Sequence, residues 1–140
     1  MFKARYSVFT LAGILMTGIA NAGGHVPPDG VAARDQDVSN GIVSADTVVS
    51  PVTGWLVAHR TDAENTPGAV IGYAPLRAGG NEDVAIILQD SVASGDLLML
   101  MVHGEDGGAS TGVFEYTLGA TEDGPIRVDG ELMMAVIAAQ

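Results

Sequence analysis

Residues 96–104 read "DLLMLMVHG". The connection "SVASG" precedes this run and the loop-forming "EDGGAST" follows it. A short apolar run bounded by turn signals has the length of a strand, and this one reads as the central strand of a sheet. Side chains alternate along a strand, so Leu97, Met99, Met101 and His103 share one face. Working outward, "GWLVAH" (54–59) is a second apolar strand, with Trp55, Val57 and His59 on one face. "IVSADTVVS" (42–50) is β-branched and alternating; Asn40-Gly41 gives a tight-turn signal before it and Ser50-Pro51 ends it.

The remaining segments continue the pattern. "VAARDQDVS" (31–39) reads as a short edge strand and "RTDAENTPG" (60–68) as a loop. "AVIGYAPL" (69–76) is a strand whose Pro75 marks an edge or an end. "RAGGNED" (77–83) reads as a turn, "VAIILQD" (84–90) as a strand, and "GVFEYTL" (112–118) as a strand between two loops. "IRVDGELMMAVIAA" (126–139) closes the domain as one strand or as a hairpin about Asp129-Gly130. "GELMMAVIAA" is a helix on propensity alone, but the hairpin signal before it favours strand. The sum is roughly seven to nine short strands at the turn spacing of an all-β, immunoglobulin-like antiparallel sandwich.

The N-terminal residues read as an export signal. Lys3 and Arg5 supply the positive start, "FTLAGILMTGIA" (9–20) the apolar middle, and Ala20-Asn21-Ala22 the cleavage pattern. The apolar run is short for a membrane span and is interrupted by Gly13, Thr17 and Gly18. Three segments are therefore expected: a signal peptide over 1–22, an extended leader over 23–30 and one β-sandwich domain over 31–140. The expected location is secreted or periplasmic. Beyond the signal, Arg34, Arg60, Arg77 and Arg127 face all 17 acidic residues. Such a chain repels nucleic acid and anionic membrane surfaces and attracts cations. The absence of cysteine excludes thiolate-dependent metal centres and a cysteine nucleophile.

"GWLVAH", "PGAVIGYAPL", "GGNEDVAIIL", "LLMLMVHGEDG", "GVFEY" and "DGPIRVDG" occur in that order. Together they resemble a secreted domain of unknown function from exported proteins of halophilic archaea and of bacteria. The matching positions are Trp55, His59, Pro67, Gly68, Gly72, Gly80, Asn81, His103, Gly112, Phe114, Glu115, Tyr116, Asp123 and Pro125. The resemblance covers the chain from about Asp35 onward. It implies a β-sandwich and export, and it implies no activity. The segment after His103 often reads as an aspartate-rich turn in that family. Here it is "GEDGGAST", so the resemblance carries no cation role to it.

Few residues suggest chemistry. His59 and His103 each end an apolar strand. Placed together at the rim of the sandwich, they could bind Zn²⁺ or Cu²⁺ with Glu115 or Asp106, although a histidine there more commonly locks a loop. Met99, Met101, Met133 and Met134 are soft donors for Cu⁺, but methionine also fills core gaps, and core packing is the expected role. The acidic clusters at 81–83, 105–108 and 121–125 read as solvated turns rather than Ca²⁺ loops. Glu115 reads as a mid-strand acid. The chain carries no nucleophile elbow, phosphate loop or dinucleotide fingerprint, so no enzymatic role is expected. The most specific motif is conditional. Cleavage after Ala22 would leave Gly23-Gly24-His25 at the terminus. Its amine, two amides and imidazole could wrap Cu(II) in a square of four nitrogens. The expected partner is thus a metal cation or a protein, with function as a binding or structural module; the alternative is a Cu(II)-binding protein.

Overall fold

The computed structural model describes residues 30–140. The expected signal peptide and the Gly23, Gly24 and His25 motif lie outside the described residues. Nine strands form: β1 Gly30–Ala32, β2 Ile42–Ser50, β3 Gly54–Arg60, β4 Val70–Leu76, β5 Gly79–Ile87, β6 Leu97–Gly104, β7 Arg127–Val128, β8 Glu131–Leu132 and β9 Met134–Ala138. Among the described residues there is no helix. One antiparallel sheet has the order β1-β2-β5 and the other β4-β3-β6-β9; β7 and β8 form a separate hairpin. The chain crosses between sheets after β2, after β4 and after β5, which makes a three-on-four sandwich of the immunoglobulin type.

Local signals place most boundaries. The turn before β2 closes with Gly41 N–H donating to the Val38 carbonyl, and Asn40 Oδ1 accepts from the Ile42 amide. Asp129 and Gly130 both take positive φ, 50° and 83°, as a tight hairpin turn requires, and β7 pairs with β8 across them. β6 is central, flanked by β3 and β9. Pro75 lies on β4, an edge strand, where its missing N–H costs no ladder bond.

Three expectations change, the first being the edge strand over 31–39, which shortens to β1. The "RAGGNED" turn shrinks to Arg77-Ala78, because Gly79 at φ +93° restarts the extended chain. Asn81 then braces the turn, donating from Nδ2 to the Arg77 and Gly79 carbonyls and accepting from the Arg77 amide. The expected strand at 112–118 does not form. Two of its amides find side-chain acceptors, Gly112 N–H donating to Glu105 Oε1 and Glu115 N–H to Asp123 Oδ2, and the Val113 amide turns to the Ser110 carbonyl. Residues 105–125 are consequently a long loop.

The core lies between the sheets. Val43, Ala45, Val48 and Ile86 of one sheet meet Leu56, Ala58, Leu98, Leu100, Val102 and Ile137 of the other. Gln36 ties the sheets together at one side. Its side chain bonds the main chain of Ser44 through both Nε2 and Oε1, while its own backbone bonds Ala138 and Gln140 beside β9. β3 and β6 are buried on both faces rather than one. That is atypical of an antiparallel sheet. On the face turned away from the core stand Trp55, Val57, His59, Met99, Met101 and His103, placed there by the pairings Trp55↔His103, Val57↔Met101 and His59↔Met99.

The sheets approach closely at Gly72. A β-carbon there would stand 2.6 Å from Ile86 Cγ2 and 2.7 Å from the Ile87 carbonyl oxygen. The backbone oxygen cannot swing aside as a side chain can. Gly72→Ala is therefore expected to destabilise the domain by about 1–3 kcal/mol, the range for overpacking. A shift of the urea unfolding midpoint at unchanged slope is the readout.

A buried histidine pair under a carboxylate-stitched loop

His59 and His103 are both fully buried. Their positions at strand ends allow a place at the rim; instead both are buried, and each also holds a loop carbonyl, the commoner role of a strand-end histidine. β3 and β6 run antiparallel, so the two residues start from opposite ends of the strand pair. Their side chains lean inward and meet above the Val57–Met101 pair. His59 Nε2 and His103 Nε2 are 3.2 Å apart. The ring centroids are 5.3 Å apart with planes inclined 27°. The much larger centroid distance means that the rings meet tip to tip and are not a π-stack.

The other ring nitrogens are committed. His59 Nδ1 lies 2.9 Å from the Gly68 carbonyl and His103 Nδ1 lies 2.6 Å from the Asp123 carbonyl. A carbonyl can only accept, so each Nδ1 carries the hydrogen. In the neutral rings each Nε2 is then an unprotonated acceptor. Burial opposes a second proton: it pushes both imidazoles below their usual range, His103 to about 4, with the two carbonyl bonds acting in the opposite, weaker sense. Near neutral pH the two Nε2 lone pairs therefore converge on one another.

Each carbonyl is delivered by a braced loop. Gly68 N–H donates to the Arg60 carbonyl, and Arg60 N–H to that of Ala69, so the 61–69 loop turns back on the end of β3. A β-carbon on Gly68 would stand 2.8 Å from the Arg60 oxygen, so only glycine fits. β4 carries a bulge beside His59, where the register shifts between Ala58 and His59. Such an irregularity re-aims side chains locally. On the other side Asp123 is the hub. It is fully buried with φ 45°, a conformation that aspartate tolerates better than most residues. Its carboxylate accepts from the Asp106 and Glu115 amides, its own amide donates to the Asp106 carbonyl, and its carbonyl holds His103.

Two further carboxylates stitch the same loop. Glu105 accepts from Trp55 Nε1 through one oxygen and from the Gly112 amide through the other. Glu115 accepts from the Ser110 amide, and a β-carbon on Gly108 would collide with its Oε2. Glu105, Glu115 and Asp123 are thus spent on N–H donors. Neither Glu115 nor Asp106 joins the histidines, and among the described residues no group of three or more His, Cys, Asp or Glu gathers as a metal set. Tyr116 closes over the pair, its ring 4.5 Å from His103 and 6.0 Å from His59, both edge-on. Phe114 packs on Tyr73 and Trp55 beside it. The aromatic residues of the "GVFEYTL" segment are therefore a lid over the sheet and not part of a strand.

The methionines divide. Met133 belongs to the sandwich core. Met99 and Met101 are buried but outside that core, on the histidine face, and Met134 joins them through its pairing with Met101. Met99 and Met101 are buried in apolar surroundings as expected, but on the face opposite the sandwich core, because alternation along β6 puts Leu98, Leu100 and Val102 on the core side. Two surface depressions flank the domain, and the smaller is lined by Arg60, Thr61, Asp62, Thr66, Pro67 and Gly68, on the outside of the loop that holds His59. The larger, about 350 Å³, is lined by residues 38–41 and 88–92 and includes neither histidine.

These features define an all-β sandwich domain with a histidine pair enclosed against its four-stranded sheet. Residues 29–139 match the model of a family described as a domain of unknown function (DUF7282), and the chain belongs to that family. No curated protein and no solved structure matches it.

A lowered histidine pKa links stability to pH. The unfolded chain binds a proton near 6.5 that the folded His103 does not bind until about 4. The contribution is fully present above pH 6.5 and is lost as pH falls toward 4. For His103 the expected loss over that window is about 3 kcal/mol. Urea unfolding at pH 7 and pH 4.5, in chelator, should show this drop in the wild type and a smaller one in His103→Gln.

Proposed function

We propose that this is an exported, non-enzymatic β-sandwich module that holds one first-row transition-metal ion between His59 and His103. One observation carries the reading: two Nε2 lone pairs converge at 3.2 Å while both Nδ1 hydrogens are held by main-chain carbonyls. Two imidazoles bound to one ion at about 2.0–2.1 Å in tetrahedral geometry stand about 3.3 Å apart. Nδ1–H donation to a carbonyl is the usual way a histidine is oriented for ligation through Nε2. Neutral rings favour binding, since no proton must first leave.

Full burial argues for storage or structure rather than catalysis, because no substrate atom reaches either ring. Export rests on the signal pattern of residues 1–22. Among the described residues no helix is long and apolar enough to cross a membrane. The strongly acidic composition suits a cation as partner. A second reading rests on the sequence Gly23-Gly24-His25, which would chelate Cu(II) at a terminus created after Ala22.

One titration series separates the two. Zn(II), Cu(II) and Cu(I) are added to the exported protein, its N-terminus checked by intact mass. The wild type is compared with His59→Gln, His103→Gln and His25→Ala. A single equivalent of Zn(II) or Cu(I) that His59→Gln and His103→Gln both lose, with the fold retained by circular dichroism, is the expected result. No binding by the wild type, or equal binding by those two variants, would overturn the histidine-pair reading. A visible-absorbing Cu(II) complex lost only in His25→Ala would support the terminal motif.

A further inference from the structure

The Nε2 separation constrains more than the two imidazoles. A linear two-coordinate ion with bonds of about 2 Å needs its nitrogens about 4 Å apart. At 3.2 Å the N–metal–N angle is bent, and a bent pair leaves coordination positions open for further donors. The donors near this point are few. No carboxylate reaches it: Glu105, Glu115 and Asp123 all accept from amides or the Trp55 indole. Tyr116 presents its ring, with its hydroxyl turned to the Gly119 amide.

The strand register supplies the remaining candidate. On β3 and β6 the successive levels of the histidine face are His59 with Met99, Val57 with Met101, and Trp55 with His103. The two rings lean from the outer levels toward the middle one. Val57 and Met101 stand at that middle level, and of these only Met101 has a donor atom. It is 1% exposed, so its thioether is turned into the protein. Met99 lies at the level of His59 alone, and Met134 is one strand further out.

Resting on the histidine-pair reading, we propose that Met101 is the third ligand and that the site is therefore built for Cu(I). Two imidazoles and a thioether, all buried, form a soft set. It favours Cu(I) over Cu(II), and it favours Cu(I) over Zn(II) more than two imidazoles alone would. The lid residues Tyr116 and Phe114 keep the ion from water and thiols outside.

The test uses Cu(I) delivered as its bicinchoninate complex under anaerobic conditions. The proteins are the wild type, Met101→Leu, Met99→Leu and Met134→Leu, with His103→Gln as reference. Leucine conserves volume, so these variants keep the fold; urea midpoints confirm it. X-ray absorption of the wild-type complex is expected to show nitrogen and sulfur scatterers. Met101→Leu should lose the sulfur shell and weaken Cu(I) binding by roughly tenfold or more, with Zn(II) affinity little changed. Met99→Leu and Met134→Leu should behave as wild type. Three results would overturn the assignment: no sulfur scatterer in the wild type, unchanged Cu(I) affinity in Met101→Leu, or loss in Met99→Leu or Met134→Leu instead. In any of these cases His103→Gln would still lose metal if the histidine-pair reading holds. Unaltered binding in His103→Gln would remove both.

Discussion

Main-chain carbonyls of two separate loops hold the Nδ1 hydrogens of His59 and His103, and the rest of the outer sheet face is arranged around that constraint. Had either loop carbonyl been a donor, the ring tautomer would reverse and the two Nε2 atoms would share an ordinary hydrogen bond. With two carbonyls, both lone pairs converge. An unsatisfied arrangement of this kind in a buried, low-dielectric place is costly unless something positive lies between the rings. Burial discourages a proton in that role, as the low His103 pKa of about 4 indicates. A metal cation brings its own charge and displaces no proton from the neutral rings.

The long loop from Glu105 to Pro125 becomes intelligible on the same terms. A loop of this length inside a small domain is uncommon unless it has a function. Its order comes from acids accepting backbone N–H groups rather than from ladder bonds. Glu105 ties it to Trp55, Glu115 ties it to itself, and Asp123 fixes the carbonyl that faces His103. The aromatic side chains of the same segment cover the pair and bury the second face of β3 and β6. The apolar content of β6, which first marks it as a central strand, thus serves two layers: Leu98, Leu100 and Val102 face the sandwich core, and Met99, Met101 and His103 face the histidine pocket.

Much of the fold is legible in the sequence where the signals are local. β2 coincides with the alternating run 42–50 because a turn signal stands on each side of it. Asp129-Gly130 marks its hairpin because only certain residues tolerate two successive positive φ values. The strand expected at 112–118 has a good local pattern, but the Gly112 and Glu115 amides are captured by the carboxylates of Glu105 and Asp123, which flank the segment outside the window of a strand pattern. The histidines are legible as candidates, and their contact is not. It joins residues 44 positions apart, and it depends on the β3–β6 register and on both side chains leaning inward. Gly68, Asp123 and Tyr116 stand among the motif positions, but no chemistry of theirs is legible there, because two act through a carbonyl and the third through a ring edge. None of these leaves a composition signal. Met99 and Met101, alternating before His103, share its face, and burial alone accounts for both.

The tautomer of the two rings is the most direct test of this account. ¹⁵N NMR of histidine-labelled protein, metal-free and at neutral pH, reports which nitrogen of each ring bears the hydrogen. Nδ1–H and an unprotonated Nε2 are expected in both His59 and His103. An Nε2–H signal in either ring, or a doubly protonated ring at pH 7, would contradict it.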